Sequence, residues 1–213
     1  MTATLVAINV FVFALFQSGL FFPEAKAASL NYGMVPAALF NLSGPGKLLP
    51  EIPASLTLLS YMFLHSGWMH LFSNMAFLWV FGDNIEDAMG HFRFLAFYLL
   101  CGIAAALTYA LITRDQFAPL VGASGAVSGV IGAYLILHPR TKVWILLFWR
   151  IPLKIPALLG LGGWAVLQIY SVMEAGAGNV AWWAHLGGLA AGIVLIPFFK
   201  HREVPLFDRD KTH

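Results

Sequence analysis

Charged side chains are scarce in this chain: only 10% of its 213 residues are Asp, Glu, Lys or Arg, against 60% that are hydrophobic. A soluble domain carries about 25% charged residues, so this chain cannot cover a water-facing surface. The net charge is only +2, with no block of basic residues, which excludes a nucleic-acid surface built on a cationic patch. There is one cysteine, Cys101, so no intramolecular disulfide can form, and its place in an apolar run reads as a small core residue. No H-E-x-x-H occurs, which removes the usual signature of a zinc protease. His65 and His70 stand five apart and do not share a helix face, so no metal and no cofactor is expected. The apolar runs hold no charged residue, where a transporter or channel would need charged or ion-coordinating groups at mid-membrane.

What is present is hydrocarbon in long stretches. A helix needs about 20 largely apolar residues to span a bilayer. Charge-free runs of that order occur at Leu5–Phe22, Phe94–Ile112, Phe117–Leu137, Ile155–Met173 and Val180–Phe199. The run Ile52–Gly82 has 31 residues, too many for one untilted span, and the polar cluster "HSGWMH" divides it. Its first half reads as a partly embedded loop segment, and its second as a helix from about Ser66 to Asp83. "VWILLFW" (143–149) is too short to cross and is expected at the interface. "FFPEAKAAS" after the first run resembles a signal-peptide cleavage site. No Lys or Arg precedes that run, however, and its length favours a retained helix.

Six spans make an all-α polytopic membrane protein. The positive-inside rule orients it. Arg93, Arg140, Lys142, Arg150, Lys154, Lys200, Arg202, Arg209 and Lys211 share a side with both termini, against Lys26, Lys47 and Arg114 opposite. Nine against three places both termini in the cytoplasm and the loop from Pro23 to about His65 outside.

Polar side chains inside a bilayer are costly and serve function or interhelical bonding. His70 and Asn74, at i and i+4, share a face of the second helix. Ser124 is expected about 10 Å in from the outer end of the fourth, counting 1.5 Å per residue. His185 lies one turn inside the outer end of the sixth. These groups fall in one outer layer of the bundle. The fourth span, "VGASGAVSGVIGAY", carries four glycines and two serines where a lipid-facing helix would carry Leu and Ile. Ser124, Ser128 and Gly132 share one face, and His185, Gly188 and Gly192 share another. Two such faces permit backbone approach and a Ser124–His185 hydrogen bond. His is the usual base for an otherwise weak serine nucleophile. No carboxylate stands inside an apolar run to orient that base, so a Ser–His dyad is expected, with His70, Asn74 and the Ser124 N–H as oxyanion donors. His65 reads as a structural residue beside the site. His91, His138 and His201 read as solvated or interfacial, and Trp68, Trp79, Trp182 and Trp183 as interface anchors and packing.

At "HSGWMHLFSN", "GASG" and "AHLGGLAAG" the chain resembles the rhomboid family of intramembrane serine proteases, from Leu5 to Phe199. The resemblance implies a rhomboid-like six-helix bundle over 1–200, a short cytoplasmic tail at 201–213, and no extra soluble domain. It implies Ser124 as nucleophile, His185 as general base, and His70 with Asn74 around the oxyanion. Glu86 in "GDNIEDAMG" matches a structural acid at the inner end of the second helix. The implied substrates are single-pass transmembrane proteins, cut near the outer membrane face at a small residue in a helix-destabilised segment. The expected setting is a lipid bilayer, as a multi-pass protein of a prokaryotic cell (inner) membrane; no oligomeric state follows. The alternative is a catalytically inactive relative that binds membrane proteins, which predicts loss of Ser or His; both are present. Two departures bear on substrate preference and loop packing. Ser128 stands where some members place an aromatic four residues after the nucleophile, and the first outer loop lacks a Trp-Arg pair found in many members.

Overall fold

Apolar segments away from water must satisfy their backbone groups internally, and a helix does so within a single segment. The computed structural model describes residues 1–19, 21, 25–42, 50–147, 151–175 and 181–208, and they are mostly helical. The elements are α1 (Thr2–Phe16), α2 (Ala25–Tyr32), α3 (Pro36–Leu39) and α4 (Ala54–Ser60), which runs on into a 3-10 turn (Tyr61–Phe63). Then follow α5 (Trp68–Met89), α6 (His91–Ile112), α7 (Ser124–Leu137), strands β1 (Lys142–Leu147) and β2 (Ile151–Pro156), α8 (Ala157–Ala175) and α9 (Trp182–Phe199). By length and composition α6 and α9 are long and apolar enough to cross a membrane, while the apolar stretches of α1, α7 and α8 are shorter. Phe22 and Val180, expected at helix ends, and the cationic Lys47, Arg150, Arg209 and Lys211 lie outside the described residues.

Three expectations about the helices need correction, the first being that α1 ends at Phe16, with Gln17–Gly19 non-helical, instead of running toward Phe22. α5 does not stop near Asp83; it continues one and a half turns to Met89 and ends at Gly90, whose φ of 84° few other residues adopt. α7 does not begin at Phe117. Residues 117–123 are non-helical, and the helix starts at Ser124, leaving it about 21 Å long at 1.5 Å per residue. Pro119 has no N–H to give a helix, and Gly122 sits at φ 125°. The buried residues of this segment satisfy their backbone within the protein instead: Leu120 and Met34 exchange N–H···O bonds of 2.8 and 3.0 Å, and Gly122 N–H donates to Tyr61 O at 2.9 Å.

The segment 143–149, expected at the interface, contributes to an antiparallel hairpin in which Lys142 pairs with Pro156 and Leu147 with Ile151. A short apolar run unable to span can satisfy its backbone by pairing, and Val143, Trp144 and Ile145 favour strands. Phe148 and Trp149 lie outside the described residues. Residues 201–208 fold back on the bundle. His201 N–H donates to Ala88 O at the end of α5, and Phe207 and Asp208 N–H groups donate to Ile136 O and Leu137 O at the end of α7. These bonds satisfy helix-terminal carbonyls that have no partner within their own helix. At the same end, buried Glu86 accepts the Thr2 N–H at 2.6 Å and is paired with His91.

The core joins α1, α5, α6, α7 and α9 through Leu5, Phe13, Leu78, Ile85, Phe97, Tyr98, Ile131 and Ile196. Its tightest contact is between α7 and α9. A methyl at Gly188 would overlap Gly125 O, and one at Gly192 would overlap Gly129 O. The face of α7 against α9 is therefore Gly125–Gly129–Gly132, one position round from the expected Ser124–Ser128–Gly132. Cys101 fills the other side of Gly129 and is fully buried.

Gly188→Ala and Gly192→Ala should each destabilise the protein by about 1–3 kcal/mol, the usual cost of overpacking a closed contact. Gly163→Ala on exposed α8, where an added methyl meets nothing within 4 Å, should be neutral or slightly stabilising. Thermal melting of the three variants in one detergent checks the contrast.

Candidate active site

Three helices begin at the same place. His70 lies in the first turn of α5, Ser124 opens α7, and His185 lies in the first turn of α9. Their ends surround a cavity of about 220 Å³ whose walls include His70, Asn74, Ser124, Ser128, Trp164 and His185. All four residues singled out in the sequence therefore border one space, but Ser124 stands at the head of its helix rather than two turns in. The first N–H groups of α7 have no acceptor within the helix and carry its positive end.

Ser124 Oγ and His185 Nε2 are 2.8 Å apart. On the far side of the imidazole, His185 Nδ1 lies 2.8 Å from Gln168 Oε1 of α8. That partner escaped the sequence reading, which looked for an acid. Its one visible signal was the single amide side chain in the charge-free run 155–173. Two indoles flank the same imidazole: Trp164 of α8 with centroids 6.3 Å apart, and Trp182 of α9 edge-on at 5.9 Å. Trp182, read from the sequence as an interface anchor or packing residue, thus packs against the imidazole, whereas Trp68 and Trp79 are exposed. No aromatic is contributed at position 128; Ser128 turns its hydroxyl back to donate to Ser124 O at 2.7 Å.

His70 is held from its other nitrogen. Its Nδ1 lies 3.0 Å from Ser66 Oγ and accepts the Ser66 N–H at 3.4 Å. A backbone N–H can only donate, so Nδ1 is the acceptor and the ring hydrogen sits on Nε2. The Cε1–Nε2 edge lies over Gly122, where an added Cβ would come within 2.7 Å of both ring atoms and 3.7 Å of Ser124 Oγ. Gly122 thus brings the donor edge of His70 to the serine by having no side chain. Asn74 Nδ2 donates one hydrogen to His70 O at 2.9 Å, and the amide carries a second. His65 is buried beside this layer, its ring edge-on to His70 at 5.2 Å and its backbone N–H donated to Gln17 Oε1 at 2.7 Å.

A mostly helical, apolar chain that joins a serine hydroxyl to an imidazole at the head of three helices defines a class of membrane protein, and the comparisons agree with it. The Rhomboid domain model matches residues 54–202, more than half of the chain. The chain belongs to the rhomboid family. It is 32% identical to the chloroplastic Rhomboid-like protein 11 of Arabidopsis thaliana, over 70% of this chain and 54% of that one. It is 30% identical to the mitochondrial Rhomboid protein 1 of Saccharomyces cerevisiae, over 67% and 41%. With the mitochondrial Presenilin-associated rhomboid-like protein of Bos taurus it shares 28% identity, over 93% and 50%. The chain thus spans about half the length of the curated relatives it matches.

These relatives correct one expectation. They are chloroplastic and mitochondrial proteins, which overturns the placement in a prokaryotic cell membrane. The physical reason for the error is plain: hydropathy and loop charge report that a chain spans a membrane and which way it faces, and carry no information about which membrane.

Proposed function

We propose that the chain is an intramembrane serine endopeptidase acting on transmembrane protein substrates. The observation that carries this reading is the 2.8 Å contact between Ser124 Oγ and His185 Nε2 at the edge of a cavity. Ser124 Oγ attacks the scissile carbonyl carbon while His185 Nε2 takes the hydroxyl proton. The oxyanion so formed faces the Nε2–H of His70, the second N–H of Asn74 and the N–H groups opening α7. Collapse breaks the C–N bond, and His185 returns its proton to the departing amine. Water then attacks the acyl-enzyme by the same steps, and the peptide acid leaves with Ser124 regenerated.

In this reading α1, α5, α6, α7, α8 and α9 are six spans within a membrane domain of residues 1–200, and residues 201–213 form a short tail. Both termini lie on the face with the cationic loops. Glu86 and the Asp208–His138 pair belong to that face, and the cavity to the opposite one. Substrates would enter as transmembrane segments and be cut near the face where the three helices begin.

Labelling single cysteines checks the topology. With Cys101→Ala as background, Asp115→Cys should react with an impermeant maleimide from the outer side of sealed vesicles. Arg140→Cys should react only after permeabilisation. The reverse pattern would invert the protein and its site.

Purified Ser124→Ala and His185→Ala should each lose cleavage of a model transmembrane substrate and labelling by a fluorophosphonate, while keeping the wild-type melting temperature within a few degrees. The double variant should be no worse than either single one, since members of one catalytic unit are strongly non-additive. Substantial turnover by Ser124→Ala would remove the assignment, and a folded wild-type chain that neither cleaves nor labels would favour a binding role.

Asn74→Ala should lower kcat by about 10²–10³, about 3 kcal/mol, with a smaller change in substrate binding, because the oxyanion exists only near the transition state. His70→Ala should behave likewise. A lower melting temperature with unchanged kcat would return both residues to a structural role.

A further inference from the structure

α8 turns most of its surface outward: Leu158, Leu159, Val166, Leu167, Ile169, Tyr170 and Met173 are exposed. Its inward line runs through Leu161, Trp164 and Gln168, spaced three and four residues apart. On such a face Leu would suffice for packing. Gln168 is instead 5% exposed and directs its side-chain oxygen at the imidazole of His185. A buried amide in apolar surroundings is costly unless it is bonded, so this placement calls for an explanation in terms of its partner.

We infer that Gln168 is a positioning residue for the Ser124–His185 pair. A neutral imidazole has one N–H and one lone pair, and to accept the serine proton His185 must keep the lone pair on Nε2. The ring hydrogen must then sit on Nδ1, which requires an acceptor there. Gln168 Oε1, 2.8 Å away, is that acceptor. When His185 takes up the serine proton, both nitrogens carry hydrogens, and the amide oxygen stays a suitable partner through the change. Trp164, one turn before Gln168 on the same face, flanks the ring, and Trp182 meets it edge-on. α8 therefore supplies both the hydrogen-bond acceptor and one wall for the base, although it holds neither reacting group.

The kinetic arm of the test rests on the proteolytic reading above; the spectroscopic arm does not. Gln168→Leu and Gln168→Met keep apolar bulk and remove the acceptor, whereas Gln168→Glu keeps it. With a transmembrane substrate, Leu and Met should lower kcat by about tenfold to a hundredfold, the effect of one unmade buried hydrogen bond, with KM within about twofold of wild type. That loss is well short of the ~10⁴ seen when an orienting residue enforces the wrong tautomer. Gln168→Glu should stay within a few-fold of wild type. In ¹⁵N-histidine-labelled full chain, the His185 resonances, identified by their absence in His185→Ala, should show hydrogen on Nδ1 in the wild type and a tautomer mixture in Gln168→Met. If Gln168→Leu fails to fold, the Met and Glu variants decide. Wild-type kcat in Gln168→Met, or an unchanged His185 tautomer, would overturn the inference and leave Gln168 as an interhelical hydrogen bond. Loss of cleavage in the wild type itself would instead overturn the protease reading, with the tautomer measurement still deciding the role of Gln168.

Discussion

The contact of two backbones at the α7–α9 crossing is the constraint on which the site depends. In a bilayer there is little hydrophobic driving force to press one helix on another, so close packing must come from van der Waals contact between surfaces that fit. Gly188 lies against the backbone of Gly125, Gly192 against that of Gly129, and Gly132 against Leu189 O, with no room for a methyl at Gly188, Gly192 or Gly132. Because the helices touch there, the first residue of α7 and the first turn of α9 lie side by side, and a short serine side chain reaches a histidine at 2.8 Å. A larger residue at Gly132, Gly188 or Gly192 would push α7 from α9 and separate two groups that only a hydrogen bond joins.

Around that contact the chain abandons helix where a helix would obstruct. The segment before Ser124 is non-helical and partly buried, and Leu120 and Gly122 bond to Met34 and Tyr61, so those polar groups of its irregular backbone are satisfied by protein instead of solvent. The result is a helix that starts inside the structure, with Ser124 at its head on the wall of the cavity. Gly122 completes the arrangement, since its φ of 125° and missing side chain let the ring of His70 come close to Ser124.

The partners that orient the two imidazoles are neutral. Ser66 bonds His70 and Gln168 bonds His185, each at Nδ1. In apolar surroundings a carboxylate would carry a large desolvation cost. An amide or hydroxyl holds a ring in place without that cost. The carboxylate Glu86 is placed instead at the opposite end of α5, where Thr2 and His91 pair with it.

Much of this was legible in the chain itself. The shortage of charge required a membrane protein, apolar runs marked the long helices, and polar residues inside those runs singled out His70, Asn74, Ser124 and His185. Those inferences depend on local composition and periodicity, which a linear sequence displays. Three features were not legible, because each depends on which segments become neighbours. The start of α7 was hidden since residues 117–123 are as apolar as a helix, and only their pairing with Met34 and Tyr61 makes the extended form satisfiable. The glycine face of α7 was misread by one position, because Ser124–Ser128 and Gly125–Gly129 are both small stripes and the partner helix selects between them. Gln168 was passed over because an amide gains meaning only from the atom it faces, and His185 is 17 residues away in sequence and 2.8 Å away in space. Composition determined the medium and the cast of polar groups; packing decided which of them touch.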